Sequence, residues 1–378
     1  MKAIILSGGG GKGAYQAGCF KAIKELNIKY DIVTGTSIGA LNGMLLAQNE
    51  VRKCLHLWKH ISFKKIYDNF DENNITHSYI EKVLEGGIDT TKIEKLVSKH
   101  YNYKKLYSSN VDYGTVAYNL SKLKPIYACK HQMNPLELKK HIIASATCFP
   151  LFKLNEDKLM DGGVYDNLPI NLAVELGAKQ IIAIDLKAIG VKQKVKDDSV
   201  KVTLITPNNE LSSFLLFDKK SSKQMIKFGY NDTMKVFKKL EGKKFTFYKN
   251  HLTNNYNKYS DEFVKTVRYY VNQNNLSKII TKFNNLYYVN KKENVIKIMN
   301  EIIEELGILF KLDQTIIYDI NKYNKLLIKK ISTNETIKNI YDNLNDKIDN
   351  KTIIMHPNEL LMAIYLKIIS WFIYRILL

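Results

Sequence analysis

Short apolar runs bounded by glycine or polar residues recur through the first half of the chain. They fall at Lys2–Leu6, Tyr30–Thr34, Val111–Tyr118, Pro125–Cys129, Lys158–Met160, Gln180–Leu186 and Lys201–Thr206, and their length and β-branched content predict strands. Between them apolar positions repeat at helical spacing over Ala14–Leu26, Ile38–Gln48, Val51–His60, Leu136–Ala144 and Leu168–Leu176. Ile181-Ile182-Ala183-Ile184 is apolar at every position, the pattern of a strand buried on both faces in a parallel sheet. Strands alternating with helices predict an α/β layer structure with a largely parallel sheet. The polar stretch from Phe63 to Tyr107 predicts a cap or insertion beside it.

After about Pro207 the pattern changes. Strand signals nearly vanish, and stretches rich in Lys, Asn, Tyr and Ile predict helices over Ser221–Leu240, Asp261–Asn272, Asn294–Leu306 and Glu335–Ile348. A catalytic region over 1–245 and a mainly helical region over 246–378 follow. The last nineteen residues, Leu360–Leu378, are apolar apart from Lys367, Ser370 and Arg375. On a helical wheel Ala363, Lys367, Ser370, Trp371, Tyr374 and Arg375 share one side. A span needs ~20 predominantly apolar residues, so this segment is a marginal span and a better interfacial helix. The competing reading is a terminal helix packed into its own domain.

Charge sharpens the picture. Lys and Arg number 57 against 37 Asp and Glu, a formal charge of +20. The excess is +8 over residues 1–200 and +12 over 201–378, so it is spread rather than gathered in a tail. Anionic partners, either a membrane surface or nucleic acid, are the natural implication, although a global Lys-rich bias explains much of it. The four cysteines, Cys19, Cys54, Cys129 and Cys148, have neither disulfide nor zinc-finger spacing, which fits a reducing compartment. The apolar run before Ser7 is too short for a signal-peptide core, and cytoplasmic residence is the expectation.

Three glycine-rich sites then carry the chemistry. Gly35-Thr36-Ser37-Ile38-Gly39 lies between a predicted strand and a predicted helix, the setting of a nucleophile elbow, where a serine hydroxyl projects from a tight turn. Gly8-Gly9-Gly10-Gly11-Lys12-Gly13 also follows a strand and opens a helix. Its backbone N–H groups, helped by the positive helix end, suit an oxyanion hole. Gly8-x-Gly10-x-x-Gly13 satisfies the dinucleotide fingerprint literally, but that reading needs an acid at the far end of the second strand, and Asp31 lies at its beginning. A serine needs a base, and none of the eight histidines stands in a glycine-rich strand-end context; of them only His131 and His141 are retained, as distant alternatives. Asp161-Gly162-Gly163 follows a strand. Alone it reads as a hairpin turn; beside a nucleophile and donors, Asp161 is the best available base.

In this order and context the three motifs resemble the patatin-like phospholipase family, over roughly residues 2–245. Ala144-Ser145-Ala146-Thr147-Cys148-Phe149-Pro150 and Asp166-Asn167-Leu168-Pro169 are also family-like, while Ser7 stands where many members carry Asp. The resemblance implies a three-layer sandwich around a mostly parallel sheet and a Ser37–Asp161 dyad without histidine. It implies an oxyanion hole in Gly8–Gly13 centred on Gly9, Gly10 and Gly11, and neither metal nor cofactor. The function it implies is hydrolysis of fatty-acyl esters of membrane lipids, with peripheral contact through Leu360–Leu378 and the basic surface, expected at the inner face of the membrane. No nucleic-acid partner is expected. Two other classes remain: a nucleotide-binding protein using Gly8–Gly13, and a non-catalytic basic membrane binder.

Overall fold

The computed structural model describes residues 1–67, 70–71, 74–273, 292–345 and 350–375. They divide into two compact units, Met1–Val236 and Phe237–Leu378; the boundary falls before the one expected near residue 245.

The first unit is built on a seven-stranded sheet: β1 (Lys2–Leu6), β2 (Ile32–Thr36), β3 (Asp112–Asn119), β4 (Lys124–Cys129), β5 (Leu159–Asp161), β6 (Gln180–Ile184) and β7 (Lys201–Ile205). The order is β4-β3-β2-β1-β6-β7, with β5 also paired to β3. β1, β2, β3, β6 and β7 are mutually parallel, whereas β4 and β5 run antiparallel to β3. The fully apolar runs sit where both faces are covered: Ala3, Ile4, Ile5 and Leu6 are all buried. Helices α1 (Ala14–Glu25), α2 (Ile38–Ala47), α3 (Val51–Lys59), α4 (Ile75–Leu84), α5 (Thr91–His100), α6 (Tyr103–Ser108), α7 (Pro135–Ser145), α8 (Ile170–Glu175) and α9 (Lys219–Val236) complete the unit. Ile170 and Ala173 of α8 pack with Ala3, Ile5 and Ile181 on one face. On the other, α2 runs so close that a Cβ on Gly43 would touch Val33, Leu6 and Tyr113. This is the three-layer α/β sandwich with a mostly parallel sheet.

α1 and α9 are tied by the Tyr15 hydroxyl, which donates to Asp232 at 3.0 Å. A buried chain of amides fixes the start of α1 against α2 and α3. Gln16 donates to the Ser7 carbonyl (2.8 Å), Asn42 to Gln16 (2.9 Å) and to the Gly13 carbonyl (3.0 Å), and Trp58 Nε1 to Asn42 (2.9 Å). Buried polar groups are tolerated when paired in this way, and here the pairing pins the glycine loop.

The second unit holds a small three-stranded sheet (Leu240–Glu241, Thr246–Tyr248 and Ile317–Tyr318) and long helices, among them His251–Gln273, Lys292–Leu309, Ile320–Lys329 and Pro357–Arg375. The strands and the Ile320–Lys329 helix were not anticipated. The expectation for Glu335–Ile348 is met by a helix over Glu335–Asp342, with 346–349 outside the described residues. The terminal segment corrects the interfacial reading. Leu360, Leu361, Ala363, Ile364, Tyr365, Leu366 and Ile369 are buried in the core of this unit. The Tyr365 hydroxyl donates to Asn324 at 3.0 Å and accepts from Asn255 at 3.0 Å. The aliphatic face is therefore spent on core packing, with Trp371 and Tyr374 left exposed; residues 376–378 lie outside the described ones. Among the described residues no helix is long and apolar enough to cross a membrane.

Candidate active site

β2 runs through Gly35 and Thr36 and delivers the chain directly into Ser37, which has φ +57° and ψ −128° before α2 begins at Ile38. A non-glycine residue in that region is strained, and neighbours hold it there. The Ser37 N–H donates to Ser145 Oγ at 2.9 Å, and the Thr36 hydroxyl donates to the Asp166 carbonyl at 2.7 Å. Gly39 is required by close approach, since a Cβ there would lie 2.4 Å from the Leu6 carbonyl oxygen.

Asp161 ends β5, a strand that runs against β3 from the opposite direction to β2. Its Oδ1 accepts the Gly163 N–H at 2.7 Å, and it lines the same cavity as Ser37. The group is buried. Burial pushes its pKa from the usual carboxylate value up to about 6, opposed by the nearby Ser37 side chain and the Gly163 N–H. Desolvation disfavours the charged form, so the carboxylate is a stronger base than an exposed one while still ionised at neutral pH.

The glycine loop presents its N–H groups unequally. Gly8 donates to Asn167, through both its carbonyl and its Oδ1 at 3.1 Å. Gly11 donates to the Phe214 carbonyl at 2.6 Å, and Lys12 to the Gly9 carbonyl at 3.1 Å. Gly13 lies at the entry to α1, its carbonyl held by Asn42. Among the described residues, no acceptor is assigned to the N–H groups of Gly9 and Gly10. The donor row expected at Gly9, Gly10 and Gly11 thus narrows to the first two. Gly10 has φ +53°, and a Cβ there would meet the Phe214 carbonyl oxygen at 2.3 Å. The loop stands beside the serine: a Cβ on Gly8 would come within 2.9 Å of Ser37 Cβ.

Gly9, Gly10, Ser37, Ile38, Asp161 and Gly163 line a cavity of about 660 Å³. Its walls are mainly apolar, among them Leu41, Met44, Leu45, Trp58 and Phe152. Gly8, Gly11, Lys12, Gly13, Gly35, Thr36, Gly39 and Gly162 frame the site without lining the cavity. Among the described residues no hydrogen bond joins a histidine to Ser37, although His100 lines the same cavity. His131 pairs with Asp112 at 3.2 Å, and His141 is a half-buried residue of α7. Asp31 sits at the amino edge of the sheet, its carboxylate accepting the Lys2 N–H at 2.8 Å, which is the wrong end for a ribose beside Gly8–Gly13.

Ser145, Asn167, Asn42 and Gln16 were given no role in the sequence. Ser145 and Asn167 fall in the two family-like stretches, which was the one available signal. Asn42 and Gln16 carry none, because a polar residue on an otherwise apolar helix shows its partner only once the helices are docked.

Residues 4–174 match the family model described as patatin-like phospholipase. The chain is 27% identical over 193 residues to patatin-like phospholipase domain-containing protein 7 of Rattus norvegicus, covering 49% of this chain and 13% of that one. It is also 27% identical over 203 residues to lysophospholipase nte1 of Aspergillus terreus, covering 49% and 12%. The chain therefore spans only about an eighth of the length of these curated relatives. Among solved structures, VipD from Legionella pneumophila aligns over 97% of this chain and 91% of that one, with 14% identity and a TM-score of 0.42, too distant a likeness to bear on function. Residues 4–174 of this chain are thus similar to the patatin-like phospholipase family.

Proposed function

We propose that the chain is a serine lipid acyl hydrolase that cleaves fatty-acyl esters of phospholipids or lysophospholipids through Ser37 and Asp161. The observation that carries this reading is the convergence of Ser37, Asp161, Gly9 and Gly10 on one apolar cavity, where the N–H groups of both glycines have no assigned acceptor among the described residues. The relatives' names support the substrate class.

The acyl chain enters the cavity and places its ester carbonyl at the mouth. Ser37 Oγ attacks the carbonyl carbon while its proton passes to the Asp161 carboxylate. The N–H groups of Gly9 and Gly10 hold the developing oxyanion; one such donor typically contributes ~10²–10³ in rate. The tetrahedral intermediate collapses, the C–O bond to the alcohol breaks, and Asp161 returns the proton to the leaving oxygen. Asp161 then takes a proton from water, the resulting hydroxide attacks the acyl-Ser37 ester, and Ser37 leaves with that proton as the fatty acid is released. An acid serves as base here because burial raises its affinity for a proton. Turnover of a soluble short-chain acyl ester by wild type, Ser37→Ala and Asp161→Asn tests the proposal: both variants are expected to be silent, and undiminished turnover in either overturns it.

A further inference from the structure

The loop after β6 crosses directly over the candidate active site. A Cβ on Gly9 would lie 3.2 Å from Ala188 Cβ. The Val191 N–H donates to the Gly163 carbonyl at 2.9 Å, and the Asn167 N–H donates to the Val191 carbonyl at 2.6 Å. Held at both ends, the loop turns its apolar side chains outward. Ile189 is 96% exposed and Val191 50%; with Val164 at 45% and Phe214 at 41% they ring the cavity mouth. An isoleucine held almost fully in water by an ordered loop gains nothing for folding, and an apolar patch rimmed by polar groups marks a contact surface.

The charge on the same loop says what is contacted. Residues 187–196 carry Lys187, Lys192, Lys194 and Lys196 and no acid, and all four lysines are exposed. Lys187 donates to the Pro207 carbonyl and Lys192 pairs with Asp185 at 2.6 Å. Lys194 and Lys196 follow, their backbone tied to Asn171 of α8, and among the described residues neither ammonium group has an assigned partner. An apolar tip flanked by cations is complementary to an anionic lipid surface, where the side chains enter the acyl boundary and the ammonium groups meet headgroup charge.

We infer that the Lys187–Lys196 loop is the membrane-docking element of this chain, seating Ile189 and Val191 in an anionic lipid surface so that the cavity mouth opens onto the bilayer. This rests on the reading of the cavity as an acyl-chain site, but its test does not depend on turnover. The partner is the lipid surface itself, and the Pro357–Arg375 helix is not needed for the contact.

Flotation of the full chain carrying Ser37→Ala, with vesicles of phosphatidylcholine alone or with added phosphatidylglycerol, reads docking without hydrolysis. Ile189→Glu is expected to weaken binding at least tenfold on both vesicle types. Lys194→Gln combined with Lys196→Gln is expected to remove only the gain given by phosphatidylglycerol; at about 1 kcal/mol per lysine this is roughly a 30-fold loss. In the Ser37 background the same lysine pair is expected to leave soluble-ester turnover unchanged. Unaltered flotation of the Ile189→Glu chain, or an anionic gain that survives loss of both lysines, overturns the inference. A dimer that dissociates on Ile189→Glu while vesicles stay unbound also overturns it, because a second copy would then cover the loop. Loss of vesicle binding with no ester turnover in wild type would keep the docking loop and remove the hydrolase.

Discussion

Ser37 and Asp161 meet because two strands end against the same neighbour from opposite directions. Thr36 pairs with Val116 on β3, and Asp161 pairs with Ala117, the next residue. β2 and β5 therefore abut end to end along one side of β3, each at its carboxyl end. One strand hands its chain to the elbow and the other stops on the carboxylate, so residues 124 positions apart in sequence become neighbours without a loop having to reach.

The pH dependence follows from the burial of Asp161. The carboxyl must be ionised to accept the serine proton, and its pKa lies at about 6. For a soluble ester, kcat/KM is expected to rise tenfold per pH unit below about 6 and to level off above it. A profile flat down to pH 4.5 would show that Asp161 is not the base.

Stability carries the opposite sign. The folded state holds the Asp161 proton up to about pH 6, whereas the unfolded chain releases it near 3.8. Between those values the native state binds more protons, so the contribution of Asp161 to stability falls as pH rises through that window. Asp161→Asn removes the cost and keeps an oxygen for the Gly163 N–H. It is expected to stabilise the protein by on the order of 3 kcal/mol at pH 7 and by little at pH 3.5. Urea unfolding at both pH values measures this, and a difference independent of pH would contradict it.

Gly10→Ala is expected to lower kcat by ~10²–10³, because the new methyl would collide with the Phe214 carbonyl and turn one donor away. Ser145→Ala removes the acceptor of the Ser37 N–H and is expected to cost about tenfold in kcat with KM unchanged, as the strained elbow relaxes. Steady-state kinetics on a soluble ester separates these; a change in KM alone would assign both residues to binding.

In the second unit, Ile364→Ala or Leu366→Ala is expected to cost about 2–5 kcal/mol, as for deletions in a packed core. Trp371→Ala, at an exposed position, is expected to cost far less. Thermal melts test the distinction, and equal small effects would return the Pro357–Arg375 helix to a surface role.

What could be read in the sequence follows from where its physics is local. Strand and helix alternation is written in adjacent residues, so the sandwich and most element bounds were legible. β2 was expected to stop at Thr34 because Gly35 reads as a breaker, yet it continues through Thr36 with β3 beside it. The three glycine motifs located Ser37 and Asp161 before any geometry was known. Which N–H groups stay uncommitted was not legible, because Phe214 and Asn167, far along the chain, take those of Gly11 and Gly8. The terminal helix misled for the same reason: an apolar face looks alike whether it meets lipid or the Tyr259 and Phe263 side chains of its own core. Ile189 gave no signal, since exposure is decided by how the loop is held.

The most direct measurement is peptide mass spectrometry after reaction with a fluorophosphonate ester, which phosphonylates an activated serine. A single adduct on the peptide carrying Ser37 is expected in wild type, none in Ser37→Ala, and labelling slowed at least a hundredfold in Asp161→Asn. An adduct on another residue, or labelling of Asp161→Asn at the wild-type rate, would contradict the pairing of these two side chains as nucleophile and base.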